Sequence, residues 1–286
     1  MEGLNSGWLL LVLPGLIWGA SFLFIAEGLR SVGPNGITFM RILVGFLTLA
    51  LFPAARRPVA RKAWGNVAWL GVLWFAFPLS MFPFAEQRVS SAMTGMLNGA
   101  NPLFATLVAC LIARKAPSRG VTVGLLVGLG GTVLIGLPAA KEGSSSLFGI
   151  SLIMVAMVSY GIALSLARSL QQQYGAVPVI WRAQLVGLVL TAPLGLPELL
   201  AAKWELGPLL SLLALGVGGT AIANILMAAA AGKFGAARAS GSTFLIPVVA
   251  LVLGVVVRHE HVLLVSIVGC LVCIAGAWIM KRASSH

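Results

Sequence analysis

Polar and aromatic side chains stand at intervals in the middle of long apolar runs of this 286-residue chain. Such groups are costly in an apolar environment unless they find a partner, so each marks a position with a role in binding or packing. Asparagine amides can hydrogen-bond ammonium or hydroxyl groups, and aromatic rings can stack on a cation. We expect a polar cavity lined by Trp18, Ser21, Phe77, Met81, Asn98, Asn101, Pro102, Ser159, Tyr160, Asn224, Ser242, Thr243 and Pro247.

Several of these residues have a second interpretation in packing. Pro102 and Pro247 each remove a backbone donor and crowd the carbonyl one turn earlier, which either frees that carbonyl for a ligand or only kinks the helix. Trp18 and Tyr160 occupy similar positions in the two halves of the chain. They predict either a clamp on an apolar or ammonium group, or ordinary aromatic packing.

Two arginines, Arg41 and Arg182, lie inside apolar runs. A charge near the centre of a membrane helix costs roughly 2.5–3.5 kcal/mol on insertion scales. Each is a few residues from its span centre, so the side chain can reach a headgroup by snorkelling. Anchoring of the helix is a related possibility, and the alternative is a contact with the carboxylate of a substrate.

The composition predicts a membrane protein. Hydrophobic residues make up 59% of the chain and charged residues only 9%, whereas soluble domains carry about 25% charged residues. The net charge of +12 comes from Lys and Arg scattered between apolar runs. A nucleic-acid partner would need a continuous basic face, so we expect none.

The apolar runs predict an all-α polytopic fold of ten transmembrane helices. The joints that follow even-numbered spans carry the excess of Lys and Arg. Joints of this kind face the cytoplasm, so we expect both termini to be cytoplasmic. Acidic residues lie in the opposite joints, at Glu86, Glu142, Glu198, Glu205 and Glu260. The predicted spans are 8–29, 35–55, 64–84, 92–113, 120–139, 147–168, 176–197, 208–230, 239–257 and 262–280.

The sequence also contains an internal repeat. At an offset of 145, Gly71 meets Gly216 and Pro102 meets Pro247; at an offset of 142, Trp18-Gly19 meets Tyr160-Gly161. This predicts two five-helix repeats, residues 1–140 and 147–286. Because five is odd, the second repeat must be inverted in the membrane, an arrangement found in secondary transporters.

The motifs of the two halves resemble the EamA family of the drug/metabolite transporter superfamily, and within it the YddG-type bacterial amino-acid exporters. The marks are Trp18 to Phe22, Ser91 to Phe104, Gly235 to Ser240 and Leu245 to Val248. The family's acidic residue after the proline helix is present as Glu260, whereas Lys115 departs from that pattern in the first half. The resemblance implies that the first, third, fourth, sixth, eighth and ninth helices line the central cavity.

The resemblance implies export of small metabolites across the bacterial inner membrane by alternating access, with amino acids, aromatic or of broad range, as the favoured cargo. Another exporter of the superfamily, for drugs or other metabolites, and a channel remain alternatives. We expect no enzyme activity, no cofactor and no metal. One chain contains both repeats, so a monomer can form the whole pathway.

The sequence has no aspartate, and no glutamate or histidine falls in the middle of a predicted span. Proton-coupled carriers commonly use such a group as a relay. We therefore expect a cavity without fixed negative charge, and transport driven by substrate gradients or membrane potential.

Overall fold

The computed structural model describes residues 2–283, with only the backbone described for residues 2–7, 139–142, 144–145 and 236–237. The side chain of Glu142 therefore lies outside the described part. Ten helices follow one another: α1 (Glu2–Gly28), α2 (Pro34–Ala50), α3 (Arg61–Glu86), α4 (Ser91–Ala113), α5 (Arg119–Glu142), α6 (Ser144–Tyr174), α7 (Ala176–Leu200), α8 (Leu206–Phe234), α9 (Ser240–Arg258) and α10 (Leu264–Ala283).

These helices confirm the predicted ten-helix membrane fold. Within the described residues, nine are long and apolar enough to cross a bilayer, and α2 is a shorter apolar helix of 17 residues. The α2 helix ends at Ala50, earlier than the predicted residue 55, because a 3₁₀ turn at Pro53–Arg56 follows it. Proline lacks the N–H that a continuing helix would need.

Glycines bring α5 and α10 into backbone contact. A Cβ atom at Gly124 would lie 2.7 Å from the carbonyl oxygen of Gly276, and one at Gly131 would lie 2.6 Å from that of Gly269. Residue numbers rise along α5 while those of the contacts fall along α10, so the two helices are antiparallel. The offset of 145 makes α5 of the first half equivalent to α10 of the second half. Because these equivalent helices are antiparallel, the two halves have opposite orientations.

Other close contacts occur in equivalent pairs. Gly216 on α8 faces Val44 on α2, with a Cβ atom 2.5 Å from Val44 Cβ; Gly71 on α3 faces Val186 on α7, at 2.6 Å. The offsets of 145 and 142 convert the first contact into the second. Small residues in membrane helices allow such close approach.

The buried core forms two clusters. The larger contains Phe22, Met96 and Ile153 and draws on helices of both halves. The smaller contains Ile42 and Ile180 and joins α2, α3, α6, α7 and one residue of α8. Because α3 contributes to both clusters, it connects the two packed regions.

Carboxylates at the end that we predict to be outside cap helices from other parts of the chain. Glu260 accepts hydrogen bonds from the Ser91 and Ala92 backbone amides, at 3.1 and 2.8 Å, and from Ser91 Oγ at 2.7 Å. Glu198 accepts from the Gly36 amide and from Asn35 Nδ2. A negative charge at a helix N-terminus satisfies free amides and is favoured by the helix dipole.

The replacement Gly131→Val tests the contact between α5 and α10. We expect it to lower the free energy of unfolding by about 1–3 kcal/mol, because the new side chain overlaps the α10 backbone. Thermal unfolding of the purified protein in detergent, followed by tryptophan fluorescence, measures the change. Gly130→Val is the matched control, since no atom of another residue lies within 4 Å of a Cβ there. Equal midpoints for the two variants would contradict the contact.

The replacement Glu260→Gln tests the cap on α4. We expect a loss of about 1.5–3 kcal/mol in the free energy of unfolding, because hydrogen bonds to a charged group are lost. The same thermal unfolding assay applies. Glu205→Gln is the control, since Glu205 is exposed and pairs only with the exposed Arg30; such pairs contribute little. A control variant as unstable as Glu260→Gln would show that the cap is unimportant.

Candidate functional site

A π-helical turn interrupts one helix in each half. The turn in α3 covers Gly71–Ala76, and the turn in α8 covers Leu215–Ile222. The two coincide under the offset of 145. π turns shift backbone hydrogen bonds out of the α pattern and occur frequently at functional sites.

Side chains from three helices meet at Thr220 in the π turn of α8. Arg41 Nε donates to Thr220 Oγ1 at 3.0 Å. Gln184 Nε2 and Asn224 Nδ2 donate to the Thr220 carbonyl at 2.8 and 3.0 Å. Thr220 Oγ1 donates to the carbonyl of Leu215, five residues back, a spacing that matches the π turn.

The first helix also forms a hydrogen bond with the π turn of α8. Trp18 Nε1 donates to the Gly219 carbonyl at 2.9 Å. A Cβ atom at Gly219 would lie only 2.8 Å from Ser21 Oγ, so Ser21 touches the turn as well. We call these residues from four helices the central polar cluster: Trp18, Ser21, Arg41, Gln184, Thr220 and Asn224.

Arg41 is directed inwards and does not snorkel. It is 7% exposed, and Nε is its only donor with an acceptor among the described residues. The terminal guanidinium nitrogens therefore remain available. Its Nη2 atom lies 3.6 Å from the position that a Cβ atom would occupy at Gly219, in the same turn as Thr220.

Arg182 has a different environment and anchors a helix. Its Nη1 atom donates to the carbonyls of Ala55 and Pro178, both at 3.1 Å, and its guanidinium lies over the Trp181 ring. The equivalent of Arg41 under the offset of 142 is the buried Ala183. One residue rotates a side chain by about 100° around a helix, which explains why Arg182 does not enter the interior.

In the first half, the π turn of α3 has fewer polar partners. Ser159 Oγ donates to the Leu73 carbonyl at 2.8 Å, the counterpart of the bond from Trp18 to α8. Tyr160 stacks with Phe82 at 6.2 Å between ring centroids, and Met81 packs against the same core. Phe77 is 40% exposed and lies on α3 one turn before Met81.

The two predicted proline breaks touch each other. The α4 helix is interrupted at Gly99 and Ala100, and α9 begins with a 3₁₀ turn at Ser240–Phe244. A Cβ atom at Gly99 would lie 3.1 Å from Pro247 Cγ. Pro102 and Pro247 leave the carbonyls four residues earlier, at Asn98 and Thr243, without their helical donor.

The polar side chains at these breaks differ in how they are satisfied. Ser242 Oγ and Thr243 Oγ1 donate to nearby carbonyls, at 2.9 and 2.7 Å. Asn101 Oδ1 is buried and has no partner among the described residues. Asn101 is therefore an unused acceptor at the crossing of α4 and α9.

The structure encloses a carboxyl group at the outer end of α3, which the sequence analysis assigned to an outer joint. Both carboxylate oxygens of Glu86 are buried and have no hydrogen-bond partner among the described residues. Glu86 is the last residue of α3, and it lines a cavity together with residues of α1 and α9. A cavity of about 410 Å³ at this end is lined by Ala26, Leu29, Arg30, Glu86, Gln87 and Arg258.

The sequence interpretation missed three residues. Gln184 and Thr220 are fully or almost fully buried, at 0% and 2% exposure. Their signal was a polar residue in an apolar run. Gln184 lies on α7, outside the helices expected to line the cavity, whereas Thr220 lies on α8, which is one of them. Glu86 had no such signal, because its burial depends on the packing of other helices.

Thr220→Val tests the central polar cluster, because valine keeps the shape of threonine but removes the acceptor for Arg41. We expect the free energy of unfolding to fall by about 1.5–3 kcal/mol, the contribution of a hydrogen bond to a charged group. Thermal unfolding in detergent measures it. Thr48→Val is the control, since Thr48 Oγ1 bonds only its own helix. A variant as stable as the control would contradict the role of Thr220.

The fold has a solved counterpart. One crystal structure matches 96% of this chain and 96% of its own chain with a TM-score of 0.63 and 20% sequence identity. At that identity the match shows a shared fold.

Curated relatives are bacterial transport proteins. The uncharacterized transporter YdfC of Bacillus subtilis is 27% identical over 266 residues, which covers 91% of this chain and 86% of the relative. A probable terminal-alkyne amino-acid exporter of Streptantibioticus cattleyicolor is 25% identical over 279 residues, covering 95% and 92%.

The family comparison covers both halves. The model of the EamA-like transporter family matches twice, over residues 5–137 and 147–282. The two matches take in all ten helices and every residue of the central polar cluster. The chain belongs to the EamA-like transporter family.

Proposed function

We propose that this protein exports amino acids across the bacterial plasma membrane by alternating access between repeats 1–140 and 147–286. The observation that carries the proposal is Arg41 of α2. Its guanidinium is buried at membrane depth, donates to Thr220 of α8 and has terminal donors available. A buried charge of this kind is expensive and marks a site for a partner of opposite charge. The family membership makes that partner a transported molecule.

The carboxylate of an amino acid fits Arg41. Its free terminal nitrogens can bind two carboxylate oxygens at once, and such charge-assisted pairs are strong. Thr220 fixes the Nε side of the guanidinium, which leaves the other side for the cargo. Arg182 is already satisfied by two carbonyls, so it is not part of this site.

Aromatic and apolar groups of the larger buried cluster suit the rest of the molecule. Trp18 is held by its bond to Gly219, and Tyr160 stacks on Phe82. These rings, with Met81, offer a surface for an apolar side chain. Asn101 Oδ1 offers a further acceptor at the crossing of the two proline breaks.

The relatives support the cargo class. One of them is named a probable terminal-alkyne amino-acid exporter, and it matches nearly the whole chain. The excess of Lys and Arg in one set of joints supports cytoplasmic termini. Since the two repeats are joined in one chain, we propose that the monomer is the transport unit.

Amino-acid counterflow in proteoliposomes tests the proposal. Vesicles that contain the purified protein and an unlabelled amino acid inside should take up the same labelled amino acid, with saturable rates, across a panel of aromatic and aliphatic amino acids. We expect Arg41→Met to reduce uptake by at least about tenfold, because a charge-assisted contact is lost. Ser151→Ala is the control, since Ser151 is exposed and bonds only Phe148 of its own helix.

Two results would contradict the proposal. One is the absence of counterflow for every amino acid in the panel, with uptake of drug-like cations or of other metabolites instead. The other is uptake that does not saturate, which would indicate a channel. Thermal unfolding of Arg41→Met separates a loss of transport from a loss of fold.

A further inference from the structure

Glu86 is a buried carboxyl group without a partner among the described residues. Its two carboxylate oxygens accept no hydrogen bond from any described group, although the residue lines the cavity at the outer ends of α1, α3 and α9. A carboxylate removed from water is strongly destabilising unless a cation or donors replace the lost water. The packing around Glu86 therefore leaves a place for a positively charged group.

The arginines that share this cavity already have partners. Arg258 pairs with Glu27 at 2.5 Å and with Glu260 at 3.3 Å. Arg30 pairs with Glu27 at 3.0 Å and with Glu205 at 3.3 Å. The cluster therefore holds four carboxylates against two guanidinium groups, and Glu86 is the carboxylate that neither arginine neutralises by contact.

Glu86 complements Arg41 of the central polar cluster in chemistry. The two form no ion pair within 4 Å in the described part of the chain. Arg41 has unused donors and Glu86 has unused acceptors. A carboxyl group and a guanidinium, each with unused hydrogen-bonding atoms, complement the ammonium and carboxylate ends of a zwitterion.

We propose that Glu86 binds the ammonium group of the cargo, in the cavity at the outer ends of α1, α3 and α9. The proposal rests on the proposed function, in which Arg41 binds the carboxylate. The chemistry it adds is a charge-assisted hydrogen bond from an N–H⁺ donor to a carboxylate. The equivalent position in the second half is Ala231, so the repeat symmetry supplies only one such group.

The experiment tests the ammonium and the carboxylate contacts of an amino acid separately. Isothermal titration of the purified full-length protein in detergent uses isoamylamine, which is leucine without its carboxylate, and 4-methylpentanoate, which is leucine without its amine. We expect Glu86→Gln to weaken isoamylamine binding by at least about tenfold and to leave 4-methylpentanoate binding unchanged. We expect Arg41→Met to show the opposite pattern.

Two further variants complete the test. Glu205→Gln removes the same charge from the exposed rim and should bind isoamylamine as the parent protein does. Glu86→Asp keeps the charge on a shorter side chain and should bind it more weakly than the parent but more tightly than Glu86→Gln. Thermal unfolding should show that Glu86→Gln is at least as stable as the parent, because the variant removes a buried ionisable group that has no partner among the described residues.

Isoamylamine binding that is absent from the parent protein, or equal in the parent and Glu86→Gln, would overturn the inference. Amino-acid counterflow that persists in either case would leave the proposed function intact. Conversely, isoamylamine binding that depends on Glu86 in a protein without amino-acid counterflow would support an amine site and reject the amino-acid cargo.

Discussion

The hydrogen bonds that end on the π turn of α8 hold the polar groups of four helices at membrane depth. Backbone groups in a bilayer must be satisfied inside the protein, and an uninterrupted α-helix uses nearly all of its own carbonyls. The π turn changes that pattern at Gly219 and Thr220, whose oxygens accept from Trp18, Gln184 and Asn224. Arg41 can remain buried because Thr220 is fixed within this turn.

The two halves share their framework but differ in chemistry. Glycine contacts that bring helices together recur in equivalent pairs, as for Gly216 with Val44 and Gly71 with Val186. The polar groups do not recur: Arg41 corresponds to Ala183 and Glu86 to Ala231. Close packing of small residues is therefore the property common to both repeats, whereas the ionisable groups Arg41 and Glu86 have no counterpart in the second repeat.

The sequence predicted much of the architecture, because hydropathy, charge bias and repeated glycines are local signals. The ten helices were expected, and so were the polar and proline positions. What the sequence could not supply was which polar groups meet. Whether Arg41 and Arg182 face the interior depends on a shift of one residue along the helix, which turns the side chain by about 100°. The bond from Gln184 to Thr220 depends on a π turn that has no clear sequence pattern. The burial of Glu86 depends on helices distant in the sequence.

The correspondence of Arg41 with Ala183 in the two repeats also affects how a passing molecule is oriented. A pathway with strict two-fold symmetry would offer every ligand two equivalent poses, related by a half turn. A single guanidinium on one side removes this degeneracy, since a molecule with one anionic end has only one favourable pose. The loss of symmetry therefore gives an anionic molecule one favoured orientation relative to the two repeats.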